Sequence, residues 1–101
     1  MTAEYSAGSK LEKIFKSGQK ALTGECGPPR GCDVEHFRHK ANFLKGYVDA
    51  VNLTDNQTAV VRFCSMAAAR ILLDMGLEPV MQMVTRDMNR IALQSNILGA
   101  A

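Results

Sequence analysis

Apolar positions in this chain alternate between two rhythms. Short apolar-rich runs are followed by longer stretches in which apolar residues recur at spacings of three and four. The first rhythm suits buried parallel strands, the second amphipathic helices. Residues 1–8 are small and polar and predict a loose tail. Ser9-Lys10-Leu11-Glu12 fits a capping box, with Leu11, Ile14 and Phe15 following at helical spacing until Gly18. Residues 20–25 predict a first strand. Asp33 then caps a helix with Glu35 in its first turn; Val34, Phe37, Ala41 and Leu44 share its buried face, and Gly46 stops it. Residues 48–53 predict a second strand. The longest helix is expected over 58–75, with Val60, Cys64, Ala67, Ala68, Ile71 and Met75 buried and Gly76 at its end. Residues 77–84 predict a third strand, Pro79 being tolerated near its start. Asp87 is placed to cap a last helix over about 88–98.

The order is therefore a tail and short helix over 1–19, then three strand–helix units over 20–101, one unit per ~30 residues as βαβ connections require. Such units build a parallel sheet with right-handed crossovers, and parallel strands place all their C-terminal tips on one edge. Each tip here is polar: Glu25, then Thr54-Asp55-Asn56, then Thr85-Arg86-Asp87. A carboxylate at a strand tip costs free energy unless it is solvated or paired, and in barrel-type α/β proteins chemistry sits at the tips. Glu25 is thus the first candidate for a working residue, with a solvated loop acid, paired or not with Arg30, as the plain alternative. Gly27-Pro28-Pro29-Arg30-Gly31 is turn chemistry and lacks the spacing of a phosphate-binding glycine loop. Three strands cannot close a barrel, which needs eight. The first and third strands would be open edges. The chain stops at Leu98-Gly99-Ala100-Ala101, where a fourth strand is expected. The expectation is the opening part of a larger fold, truncated or completed by other copies.

Composition narrows the function classes. The apolar fraction of 47% fits a globular chain, and a net charge of +2 with no basic block is too small to imply nucleic-acid or membrane-surface binding. No apolar run is long enough for a membrane helix, and Met1 to Ser9 has no signal-peptide core. Three cysteines without a C-x-x-C suit reduced thiols in a cytoplasmic protein. Cys32, His36 and His39 invite a metal reading, but both histidines fall opposite the buried helix face and no fourth ligand is in sight. Cys64 is read as core, Cys26 as structural. Asp87 is read as a helix cap; Thr54, Asp55 and Asn56 together lean toward binding, since a cap needs only one of them. Arg86 is left open between a ligand anion and a neighbouring acid. Met66, Leu73 and Phe43 fall off the buried faces and suit contacts with neighbouring helices or a partner; Met81 and Met83 suit core packing.

Three segments together resemble the methylenetetrahydrofolate reductase family. Glu25-Cys26-Gly27-Pro28-Pro29-Arg30-Gly31 resembles its E-x-x-P-P-R opening, and residues 49–56, D-A-V-N-L-T-D-N, its second strand and tip. Residues 82–95, Q-M-V-T-R-D-M-N-R-I-A-L-Q-S, resemble its third strand and following helix. The resemblance implies the N-terminal (βα)3 portion of a (β/α)8 TIM barrel that binds FAD at its C-terminal face. Such an enzyme reduces 5,10-methylenetetrahydrofolate to 5-methyltetrahydrofolate, with NADH or an electron-transfer partner protein as reductant. It makes Glu25 the acid that protonates the folate nitrogen. Thr54, Asp55, Gln57 and Gln82 become flavin-side contacts, Gln82 standing where the family often has histidine. The family's later strands carry most of the adenine, phosphate and folate contacts, so these 101 residues alone are expected to bind no FAD. Two other readings stand beside this one: another barrel enzyme with Glu25 as general acid or base, and a non-catalytic α/β subunit forming a homo-oligomer through its sheet edges.

Overall fold

Three short strands lie side by side in chain order and parallel: β1 (Thr23–Glu25), β2 (Ala50–Leu53) and β3 (Pro79–Met81). The computed structural model describes residues 6–101. Helix α1 (Lys10–Lys16) precedes the sheet, and α2 (Glu35–Leu44), α3 (Ser65–Asp74) and α4 (Arg90–Ala100) follow its strands. The α/β class and the helix, then strand–helix order are as the sequence predicts. No helix is long and apolar enough to cross a membrane among the described residues.

The core lies on one side of the sheet. Val51 and Leu53 of β2 are fully buried there against Phe37 and Ala41 of α2 and Ala68, Ala69 and Leu72 of α3. Each large side chain in such a cluster contributes about 1.5–3 kcal/mol by leaving water. Gly24 faces the same side, and a Cβ there would come within 3.1 Å of Leu44, so the glycine lets α2 lie close. Strand side chains alternate between faces. Asn52 therefore faces away from the helices, with its register partners Glu25 and Val80. Thr23 joins them, its hydroxyl accepting from the Asn52 carboxamide at 3.3 Å. Since α2 and α3 cover one face while the strand order runs 1-2-3, both crossovers have the same hand. The outer edges of β1 and β3 carry no further strand among the described residues.

Helix α1 crosses the edge where the strands begin. Glu78, just before β3, accepts from the backbone N–H groups of Lys10 at 2.8 Å and Leu11 at 2.6 Å, two donors that a helix start leaves orphaned. Ser9 caps α1 as expected, its hydroxyl accepting from Glu12 N at 3.1 Å. The Glu12 carboxylate reaches past Ser9 to Ser6 and Ala7, so residues 6–8 are tied to the helix; the rest of the expected loose tail, residues 1–5, lies outside the described residues.

Several boundaries differ from expectation. All three strands are shorter than predicted. The helix expected over 58–75 begins only at Ser65, because Asn56, Thr58 and Ala59 have φ of 47°, 59° and 59°, left-handed values that cannot start an α-helix. Val60 and Cys64, predicted as core, are consequently exposed, and the buried face of α3 is Ser65, Ala68, Ala69 and Leu72. Ala67, Ile71 and Met75 are half-buried. Val34, not Asp33, is the N-cap of α2; Asp33 sits one residue earlier and accepts from Glu35 N at 3.1 Å. Asn89, not Asp87, caps α4, its side chain accepting from Ala92 N at 2.8 Å. Gly46 and Gly76 end their helices at φ of 86° and 81°, as predicted. Of the off-face residues, Met66 is half-buried near Gly99 of α4, whereas Phe43 and Leu73 are exposed. Met81 packs against the core.

Glu78→Ala should fray α1 and cost about 1–3 kcal/mol, since two donors lose a charged acceptor. Urea unfolding gives the stability and amide exchange the fraying; unchanged protection at Lys10 and Leu11 would show that water replaces the carboxylate freely.

Candidate functional site

Pairing runs one residue beyond each strand and so aligns the three tips. Cys26 N donates to Asn52 O at 3.0 Å, and Gln82 N donates to Leu53 O at 3.1 Å. Glu25, Thr54 and Gln82 therefore leave the sheet at the same edge. Glu25 and Gln82 are both exposed, two strand spacings or roughly 10 Å apart laterally. Among the described residues Glu25 makes no ion pair or side-chain hydrogen bond; it is a solvated acid without the optional Arg30 pairing. Asn52 stands between them on the helix-free face. Residues 48–53 read as a strand in the sequence, and Asn52 is passed over there, although one amide in an apolar strand is the available signal.

The second tip is built differently from the first. Thr54 is buried, and its hydroxyl has no hydrogen-bond partner among the described residues. Gly27 of the preceding loop lies beside it; a Cβ there would sit 3.7 Å from the Thr54 oxygen. Buried polar atoms are nearly always paired, so an orphaned hydroxyl at a strand tip is an unused hydrogen-bonding position. Asp55 is also buried, but its carboxylate accepts from Val84 N at 2.9 Å. It caps no helix: it is a strut from the second tip to the chain leaving the third. Ser65, the first residue of α3, adds a second strut by donating to Gln82 O at 2.8 Å.

The connecting loops are pinned to each other. Asn56, in its left-handed conformation, accepts from Arg62 N at 2.8 Å through its side chain. Phe63 N donates to Pro29 O at 2.7 Å, which ties the loop after β2 to the loop after β1. Gln57 opens the 3₁₀ turn Gln57–Ala59 and is exposed. No hydrogen bond among the described residues draws it toward Glu25, so the Glu25–Thr54–Gln82 edge does not gather it. Arg86 forks onto Asp87, at 2.9 and 2.8 Å, and reaches Asn56 O at 3.2 Å. That pairing holds the Asp87 carboxyl below its ordinary range and raises the Arg86 guanidinium, which resolves Arg86 in favour of a neighbouring acid. Chemically, the edge offers an unpaired carboxylate and two exposed or half-exposed carboxamides, with the Thr54 hydroxyl enclosed behind them. That set can pass a proton to, and hydrogen-bond with, a polar planar ligand.

Cys26 is buried beneath the edge, whereas Cys32 and Cys64 are exposed. His39 packs edge-on against Phe43 with ring centres 4.9 Å apart, and no cluster of three His, Cys, Asp or Glu side chains is placed for a metal ion among the described residues.

Burial pushes the Cys26 thiol up, outweighing the opposing pull of Lys40. Less thiolate and less access both slow its reaction. A disulfide reagent near neutral pH should label Cys32 and Cys64 rapidly and Cys26 only on unfolding. Because the folded value is raised, the matching stability is present below the ordinary thiol range and is lost as pH rises through the folded value. Three equally fast thiols would contradict this burial. No family model, curated protein or solved structure matches this chain.

Proposed function

We propose that the chain is the opening (βα)3 portion of a flavin-dependent methylenetetrahydrofolate reductase of the TIM-barrel type, acting in cytoplasmic one-carbon metabolism. The single observation that carries the proposal is the shared edge. The acid of the E-x-x-P-P-R segment, the buried threonine of the second tip and the glutamine of the third emerge side by side. One helix layer on one sheet face, with sequential parallel strands, is the arrangement a barrel wall requires and supports the same reading. Three unpaired thiols support the compartment.

The residues present fit a flavin. Among the described residues the Thr54 hydroxyl lacks a partner and the exposed Gln82 carboxamide makes no hydrogen bond. Thr54, Asp55, Gln57 and Gln82 would hold FAD, which supplies the hydride when reduced; NADH or an electron-transfer partner protein would restore it. Asp55 would act chiefly through its position, since its carboxylate already holds Val84 N. Glu25 would donate a proton to the folate nitrogen and so open the five-membered ring to a hydride-accepting iminium. A general acid must be free to release and regain its proton, and an unpaired exposed carboxylate meets that requirement.

The open edges of β1 and β3 favour a second arrangement, a homo-oligomer joined edge to edge. A defined oligomer in solution without flavin affinity would select it.

The 101-residue chain alone is expected to bind no FAD, because three strands supply only part of the cofactor's contacts; a yellow, FAD-loaded preparation would refute this. In a flavin-loaded assembly containing this chain, Glu25→Gln should retain the flavin spectrum and lose folate reduction by about 10²–10⁴-fold. Reduction that persists undiminished removes Glu25 from the chemistry.

A further inference from the structure

A second cleft lies on the other side of the β1–α2 loop from Glu25, with a volume of about 160 Å³. It is lined by Gly27, Pro28, Phe37, His36, Lys40 and Arg62. We propose that this cleft binds a phosphate-class oxyanion. His36 and Lys40 stand one turn apart on α2 and so share a face, while Arg62 arrives from the loop before α3. Three nitrogen-bearing side chains from two segments thus line the space, and no carboxylate among the described residues does. Among the described residues neither Lys40 nor Arg62 is paired with an acid, so both are available to an anion.

Arg62 carries the argument. Its Nε is buried without a hydrogen-bond partner among the described residues, and a guanidinium has only donors to offer. A buried donor left unmade costs free energy, which an anion in the cleft would recover. The arginine is also pre-positioned: its own N–H is held by the Asn56 side chain, and the next residue, Phe63, is held by Pro29 O. Pro28 and Phe37 are buried and give the cleft an apolar floor, which strengthens charge–charge attraction at its base. A cleft of about 160 Å³ has room for a tetrahedral oxyanion. Donors on separate segments suit a tetrahedral group with several oxygens better than one planar carboxylate. The site is independent of the reductase reading, because it faces the α2 side of the loop and Glu25 the helix-free side.

The test is a titration of the full 101-residue chain with potassium phosphate at constant ionic strength, followed by amide and Arg62 side-chain NMR shifts. Shifts at Gly27, Arg62 and Phe63 should saturate with phosphate and stay linear and small with chloride or succinate. Arg62→Gln should weaken phosphate binding about tenfold, the loss of one charge-assisted hydrogen bond. Lys40→Gln, at an exposed position that leaves the fold intact, should weaken it several-fold. Arg70→Gln, on the exposed face of α3, should leave it unchanged. Linear shifts up to the highest phosphate concentration, saturation as strong with succinate, or equal binding by the parent chain and the Lys40 variant would each overturn the proposal.

Discussion

Val51 and Leu53 sit fully buried under α2 and α3, and the rest of the molecule is arranged by that fact. Once these two side chains are committed to the helix layer, a strand of period two must turn Asn52 to the opposite face. The parallel register then carries Glu25 and Val80 to that face with it. A one-residue slip of β2 would bury Asn52 without a partner and expose both apolar neighbours, an exchange costing several kcal/mol. The register is therefore strongly specified, although the strands are only three to four residues long. A polar edge on the helix-free side is a consequence of packing on the other side.

The tips are held together by unequal means. Asp55 spans from the second tip to Val84, Ser65 ties the third tip to the start of α3, and Phe63 ties the second loop to the first. These bonds all lie behind the edge, in the loops and toward the helices. In front of it, Glu25 and Gln82 carry no such ties among the described residues. A rigid backing with unfilled front positions is what a binding edge needs, because a ligand then meets groups that are already placed but not already satisfied.

Much of this was legible in the residues. The alternation of rhythms specified the element order, and Val34, Phe37, Ala41 and Leu44 were recognised as one face because their spacing is helical. The tips were recognised because polar clusters interrupt apolar runs. The long helix was misplaced at its start for a physical reason: Val60 and Cys64 have the right spacing, but left-handed backbone at Asn56, Thr58 and Ala59 forbids the turn that would use it. Periodicity reports side chains and is blind to that. Asp33 and Asp87 were read as caps from residue type, whereas capping depends on where the first helical N–H groups fall, a matter of one or two residues. The struts made by Asp55 and Ser65 join residues 29 and 17 positions apart, and no local pattern encodes such partners.

The acids of the edge illustrate how structure decides among residues that sequence treats alike. Glu25, Asp55 and Asp87 each finish or follow a strand, although only Glu25 and Asp55 are site candidates by sequence and Asp87 is read as a cap. Asp87 is forked to Arg86, which favours its charged form and makes proton uptake costly. Asp55 holds the Val84 amide, so any change in its charge would loosen the strut between two tips. Glu25 alone has no structural bond to break among the described residues. An acid that must take and give a proton repeatedly cannot also be a mechanical tie, because each cycle would then strain the frame that positions it. The tethered aspartates and the free glutamate thus differ in what they hold, and under the proposed reading that difference is the reason Glu25, rather than its neighbours, is given the proton transfer.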